Sequence, residues 1–243
     1  MSKITLNKKM FVSSLKTAVK CISKEESRDS LKMVYLQGGA NFTMVATDGH
    51  ILYKKVLSNV AIDSNILLSK ENVNHILDLL KKERTTKDST VDIDTTKKAL
   101  IVNDKTFYTA ITENPYPNYE RGIVDIDTLT NSATFSSKEL AQLLKDNKDN
   151  IGKRSNLTIF DLTDDDIENS ISFRKEFTDT KTTSVNIAYK GNDLRLGLSA
   201  KYLKQVLATT KKDITMNCGS AISQTQYHID KSEMFLIMPL RIF

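Results

Sequence analysis

Asn7-Lys8-Lys9-Met10-Phe11-Val12-Ser13-Ser14-Leu15-Lys16-Thr17-Ala18-Val19-Lys20-Cys21-Ile22-Ser23-Lys24 reads as an amphipathic helix with its own start signal. Phe11, Leu15, Ala18, Val19 and Ile22 recur at three- and four-residue spacing and form an apolar stripe. Lys9, Lys16, Lys20 and Lys24 project from the opposite side. Asn7 stands where a side-chain oxygen can accept from the free amides of the first turn. The same arrangement returns along the chain. Ser69 precedes Val73, Ile76, Leu77, Leu79 and Leu80; Ser136 or Ser137 precedes Leu140, Leu143, Leu144 and Ile151; Ser199 precedes Leu203, Val206, Leu207 and Thr210. Caps at 7, 69, 137 and 199 lie 62, 68 and 62 residues apart, a fourfold rhythm that bears on the whole fold.

Between these helices run short β-branched and aromatic segments separated by turn residues, the pattern of antiparallel strands. The spacing predicts strands over 33–37, 42–46, 52–57 and 65–68, then 91–94, 99–102 and 107–111. The second half is expected to follow with 133–135, 157–161, 170–174, 184–189, 194–198, 214–218, 222–229 and 234–238. Stretches 87–89, 163–166 and 178–183 read as exposed loops. Each quarter is one helix plus about four strands, and two quarters make a domain with two helices side by side on sheets. Pro115 and Pro117 interrupt the pattern at the seam, which sets two similar domains at 1–125 and 126–243. The fold class is α+β.

At 243 residues the chain is long enough for two such cores. Hydrophobic residues at 40% and charged residues at 27%, with 8 Gly and 3 Pro, exclude collagen-like and broadly disordered composition. No apolar stretch has bilayer length, and the first ten residues lack the apolar centre of a signal peptide, so a cytoplasmic protein is expected. Cys21 and Cys218, with three histidines, give no disulfide framework and no metal spacing; no metal and no cofactor is expected. The net charge of +5 hides a segregation. Spans 8–24, 69–84, 137–154 and 199–212 carry +5, +1, +2 and +4, together +12, which leaves −7 elsewhere. A basic face without interleaved aromatics or glycine-rich loops suits phosphates rather than bases.

Three short motifs stand out. Ala46-Thr47-Asp48-Gly49-His50 follows an alternating strand, and its Asp-Gly is a tight-turn signal. Tyr116-Pro117-Asn118-Tyr119-Glu120-Arg121 lies at the seam, and Phe235-Leu236-Ile237-Met238-Pro239-Leu240-Arg241-Ile242-Phe243 closes the chain with an apolar run stopped by proline. A catalytic Asp48 with His50 is disfavoured because no nucleophile or second base is identifiable nearby, and a nuclease using Asp48, Asp104 or the aspartates at 164–166 for a metal is disfavoured because consecutive aspartates in a loop alternate in direction and are usually solvated. A single-strand binder is disfavoured by the absence of tryptophan and of stacking aromatics on the basic helices.

In this order, the three motifs resemble those of the bacterial replicative sliding clamp, the β subunit of DNA polymerase III. That family has a similar ATDGH stretch after a strand of its middle domain, a similar F-P-x-Y-x-R segment at its second domain boundary, and a similar M-P-[ML]-R ending. The resemblance covers essentially the whole chain but only the second and third of the family's three domains. It implies the DNA-clamp fold: two domains, each a duplicated βαβββ unit with two helices on curved antiparallel sheets. It also implies a non-enzymatic processivity factor that encircles duplex DNA, independent of sequence, and tethers a polymerase and a clamp loader through short linear peptides. The family closes a ring of six domains, so a two-domain chain is expected to form a homotrimer. Its place would be the nucleoid or replication fork, and its short length suggests a phage or plasmid replication protein.

Lys9, Lys16, Lys20, Lys24, Lys81, Lys138, Lys145, Lys201 and Lys212 are the expected DNA contacts. Carried over position by position, the family's peptide groove corresponds to Leu36, Thr47, Gly49, His50, Leu52, Pro117, Arg121, Ile222, Gln224, Leu236, Met238, Pro239, Leu240 and Arg241. The chain departs from the family's pattern at Ile51, where an arginine is usual, and at Gly122, where a bulkier apolar residue is usual. The competing reading is a decoy that keeps the groove, forms no ring and sequesters replication partners; the basic helices argue against it.

Overall fold

The computed structural model describes residues 2–62, 64–82, 89–96, 98–151, 156–164, 169–174 and 180–242. The chain divides into two compact units, Met1–Tyr119 and Glu120–Phe243.

In the first unit the order is β1 (Ser2–Asn7), α1 (Lys8–Cys21), β2 (Val34–Gln37), β3 (Phe42–Thr47), β4 (Ile51–Ser58), β5 (Ile66–Leu68), α2 (Lys70–Lys81), β6 (Thr90–Thr96), β7 (Ala99–Val102) and β8 (Lys105–Tyr108). This is βαβββ twice. The leading strand of each repeat joins the other repeat's sheet, giving antiparallel sheets β1-β6-β7-β8 and β4-β3-β2-β5. The exchange ties the repeats into one core. Register follows side-chain alternation: Ile4 faces Ile93 and Leu6 faces Val91 inside, while Lys3 pairs with Asp94 and Thr5 with Asp92 outside. Asn103 and Asp104, at φ 46° and 59°, make the two-residue turn between β7 and β8.

Both helices begin where a side chain caps them. Asn7 accepts from the Met10 amide at 2.9 Å, and Ser69 from the Asn72 amide at 3.2 Å. α1 packs against α2 and over β3 and β4. Phe11, Leu15 and Ala18 of α1 and Val73 and Ile76 of α2 are fully enclosed, each large side chain contributing about 1.5–3 kcal/mol by burial.

The second unit repeats the plan with β9 (Asn131–Phe135), α3 (Ser137–Asp146), β10 (Leu157–Leu162), β11 (Ser170–Arg174), β12 (Thr180–Ser184), β13 (Ile187–Lys190), β14 (Leu194–Ser199), α4 (Ala200–Leu207), β15 (Ile214–Cys218), β16 (Thr225–Asp230) and β17 (Glu233–Ile237). Its sheets run β12-β11-β10-β14 and β13-β9-β15-β16-β17, and α3 packs on α4. Asn131 fastens the turns of this unit together. Its Oδ1 accepts from the Tyr189 hydroxyl and the Asn192 amide, and its Nδ2 donates to the Gly219 carbonyl.

The expected strands recur, with informative differences. β1 has no counterpart among the expectations, although Ile4 and Leu6 alternate with Lys3 and Thr5. The loop expected at 178–183 is largely strand β12, hydrophilic because it lies at a sheet edge. Segment 184–189 is not one strand but the junction of β12 and β13, which pair in different sheets. Ile222, expected to start a strand, lies in a turn closed by the Ser223 hydroxyl, which accepts from the Gly219 and Ser220 amides. Ser136, not Ser137, caps α3, and Ser199 precedes α4 without a capping side-chain bond.

The helices are shorter than the apolar spacing suggests. α3 ends where Asn147 Nδ2 donates to the Leu143 carbonyl and a 3-10 turn, Lys148–Asn150, follows; Ile151 anchors the chain beyond the helix. Arg84 and Arg154, at the ends of expected helices, lie outside the described residues, as do parts of the loops expected at 87–89, 163–166 and 178–183.

Candidate nucleic-acid interface

Lys9, Lys16 and Lys20 fall at i, i+7 and i+11 on α1, within about 20° of one line along a helix that turns about 100° per residue. All three are exposed, and Phe11, Leu15 and Ala18 lie opposite them in the core. The result is one straight cationic ridge. Flexible ammonium groups on such a ridge hold phosphates as point charges without bidentate locking. Lys8, counted among the cations of the same segment, is instead buried at 1% exposure.

The remaining expected contacts are also exposed, in different settings. Lys24 lies past the end of α1 and Lys212 past the end of α4, so neither belongs to a helix face. Lys81 is held by Asp78 at 2.9 Å. Lys138 and Lys145 are on the outer face of α3 with Gln142, and Lys201 stands over its neighbour Tyr202, 4.6 Å from the ring centroid. Lys204, exposed on α4, is a cation that singling out individual lysines missed. Counted over the observed helices, the charges are +4, 0, 0 and +2 for α1 to α4. The segregation is therefore a property of α1 and α4 and of the chain just beyond helix ends.

In the first unit the 47–51 turn is built from its own side chains. Asp48 Oδ1 accepts from the His50 and Ile51 amides, Thr47 Oγ1 accepts from the Gly49 amide, and Gly49 adopts φ 93°. Arg28, paired with Glu25 at 2.8 Å, donates to the Asp48 carbonyl at 3.0 Å and covers Gly49. Asp48 is thus a turn former. Gly49 and His50 are presented outward, while Leu36, Thr47 and Leu52 form the buried backing. Beside them Tyr116 stacks on Tyr35 at 4.6 Å, and the Tyr119 hydroxyl bonds Gln37. Burial pushes the Tyr116 phenol above its ordinary range. These aromatics leave Pro117 exposed.

One carboxylate holds the approach to this segment. Asp29 accepts from the Ser30 amide at 2.7 Å and from the Glu113 amide. Desolvation pushes its pKa up, but the bonds from Glu113, Ser30 and Asn114 outweigh that and hold it below the usual carboxylate value. A lowered folded-state pKa means stabilisation that is complete above the unfolded pKa and is lost as pH falls through the folded one. Asp29→Asn should therefore lower the melting temperature at neutral pH, with the gap to wild type closing on acidification below about pH 4. Melts across that range check it; a gap independent of pH refutes it.

In the second unit the chain after β17 folds back along β14. Leu240 donates its amide to the Gly197 carbonyl at 2.8 Å, forming a bridge that seats Met238-Pro239-Leu240-Arg241. Leu236 is buried, Pro239 and Leu240 are half-buried, and Met238 and Arg241 are exposed. Ile222 is 83% exposed, Arg121 is exposed, and Gln224 is buried with its Oε1 lacking a donor among the described residues. Gln226 Nε2 holds the Val124 carbonyl at 2.8 Å, fixing the segment that follows Arg121 and Gly122.

No protein-family model matches the chain, and no curated protein matches it by sequence. Solved structures do. The DNA polymerase III subunit beta from Pseudomonas aeruginosa aligns at TM-score 0.85 and 17% identity, covering 100% of this chain and 66% of that one. The DNA polymerase III beta subunit from Thermotoga maritima aligns at 0.84 and 18%, over 99% of this chain and 66% of that one. This chain has the sliding-clamp fold. A DNA polymerase sliding clamp from Bacillus subtilis aligns at 0.83 and 18% identity, over 100% of this chain and 65% of its own. The chain thus spans about 66% of the length of these clamps. Among the described residues of this clamp fold, no helix is long and apolar enough to cross a membrane, and no group of three His, Cys, Asp or Glu is placed to hold a metal ion.

Proposed function

We propose that this protein is a DNA sliding clamp, a processivity factor that closes as a ring of three copies around duplex DNA and tethers a polymerase and a clamp loader. The supporting observation is the ridge of Lys9, Lys16 and Lys20 on α1 of a chain that has the clamp fold over its whole length. Retention on DNA is then topological. Weak, sequence-independent phosphate contacts permit sliding, closure prevents escape, and no bond is made or broken.

For the tether we propose contacts with short linear peptides on each unit taken by itself: the 47–50 turn and Pro117 on the first, and Arg121, Ile222, Gln224 and the 236–241 tail on the second. Aliphatic side chains and Met238 supply adaptable apolar surface, and Arg121 and Arg241 supply donors. The enclosed Gln224 Oε1 favours an occupant that donates a hydrogen bond, since leaving such an acceptor unmet costs about 1–3 kcal/mol.

Loading onto nicked circular DNA tests the ring. The protein, with the cognate loader or by spontaneous opening, should co-elute with circular DNA and be released when one cut linearises the circle. Equal retention on both forms would leave only ordinary DNA binding. Monomer alone, with peptide binding intact and no retention, would turn the reading to the decoy.

A further inference from the structure

The 47–51 turn has no strong cation of its own: it reads Thr47-Asp48-Gly49-His50-Ile51, and Ile51 is 1% exposed. A guanidinium reaches it from a connector 20 residues earlier in the chain. Arg28 Nη1 donates to the Asp48 carbonyl, and Arg28 Nε meets Glu25 Oε2 at 2.8 Å. The connector is itself a bonded turn, with the Arg28 amide donating to the Glu25 carbonyl and the Leu31 amide to the Arg28 carbonyl. Gly49 lets the guanidinium lie close. A Cβ there would stand 2.6 Å from Nη1, and φ 93° already suits glycine.

Those two contacts do not exhaust the guanidinium. The second hydrogen on Nη1 and both on Nη2 have no acceptor among the described residues, and the side chain is 40% exposed. These donors lie against Gly49 and beside His50, the part of the turn presented outward. The charge, by contrast, is already answered. Glu25 touches Nε and the Asp48 carboxylate belongs to the same turn, so an incoming anion meets both acids as well as Arg28. What remains unspent is directional hydrogen bonding, which suits a neutral carbonyl oxygen.

We infer that Arg28 is a binding residue of the first unit's peptide surface, donating from Nη2 to a main-chain carbonyl of a linear peptide laid over Gly49. The inference rests on the peptide-tether reading and names one contact within it. A bond to the main chain holds the ligand's extended backbone rather than its side chains, so one contact serves partners of different sequence. Glycine at 49 is part of the device, because a side chain there would push the guanidinium off the turn.

Fluorescence titrations of the full-length protein with overlapping, end-blocked peptides tiled across the cognate polymerase identify the tightest linear binder. For that peptide Arg28→Ala should raise the dissociation constant at least about tenfold, and Arg28→Lys by a similar factor, because an ammonium that holds Asp48 has no second nitrogen to offer. Circular dichroism and melting check that each variant is folded. The factor should be the same at low and high salt; one that shrinks as salt rises means an anionic ligand group and overturns the carbonyl assignment. Amide-to-ester exchange along the peptide weakens one carbonyl at a time. At one linkage it should cost wild type at least about threefold and Arg28→Ala nothing, a coupling that mere loosening of the turn does not produce. Equal affinity of wild type and both variants, or an ester scan with no coupled linkage, overturns the role of Arg28 and leaves the peptide surface standing. A wild type that binds none of the peptides overturns the peptide reading itself.

Discussion

Replacing Lys9, Lys16 and Lys20 together by glutamine is expected to flatten the salt dependence of DNA association and to weaken it equally on all sequences. Each lost phosphate contact removes roughly 0.9 from the slope of log affinity against log salt, so the triple variant should lose about 3 per chain. Affinity near physiological salt should fall at least about tenfold. The fold should not suffer. All three side chains are exposed, glutamine is nearly as good a helix former as lysine, and surface changes of this kind stay within about 0.5 kcal/mol. Titrations at several salt concentrations decide the matter. An unchanged slope would remove α1 from the DNA surface, whatever the fall in affinity.

Gly197→Ala should release the C-terminal tail while leaving the second unit folded. A Cβ at this position would stand 2.6 Å from the Leu240 carbonyl oxygen and 3.0 Å from both Ile242 Cγ1 and Leu157 Cδ1. The backbone oxygen cannot yield without the bridge between Leu240 and Gly197 parting. The strand itself is paired to β10 and should persist. If the tail forms part of the peptide surface, affinity for a polymerase-derived linear peptide should drop by at least about tenfold, or about 1.4 kcal/mol. Met238→Ala should weaken the same titration through lost apolar contact, with the bridge intact. Wild-type peptide affinity in both variants would exclude the tail from binding.

The four helices and their faces were legible because each carries its apolar stripe locally; Asn7, Ser69 and Ser136 bond first-turn amides, while Ser199 makes no capping bond. Helix ends were less legible. The spacing that reaches Ile22, Ile151 and Thr210 continues past the points where the backbone leaves helical geometry. Only packing and Asn147 choose the stopping place. β12 escaped detection because Thr-Lys-Thr-Thr-Ser has no apolar alternation; its pairing with β11 makes it a strand. β1 was readable from Ile4 and Leu6, which alternate with Lys3 and Thr5.

At the candidate surfaces, the outward lysines of α1 follow from periodicity alone, and the Asp-Gly turn follows from local chemistry. The burial of Lys8, the capture of Lys81 by Asp78 and the seating of Leu240 on Gly197 do not. Local spacing determined the repeated helix-and-strand units and which helix face carries charge, since both depend on residues a few positions apart. Tertiary structure decided which strands exchange between repeats, which lysines remain available and where the tail rests. Those outcomes depend on neighbours far apart along the chain, whose approach no local pattern encodes.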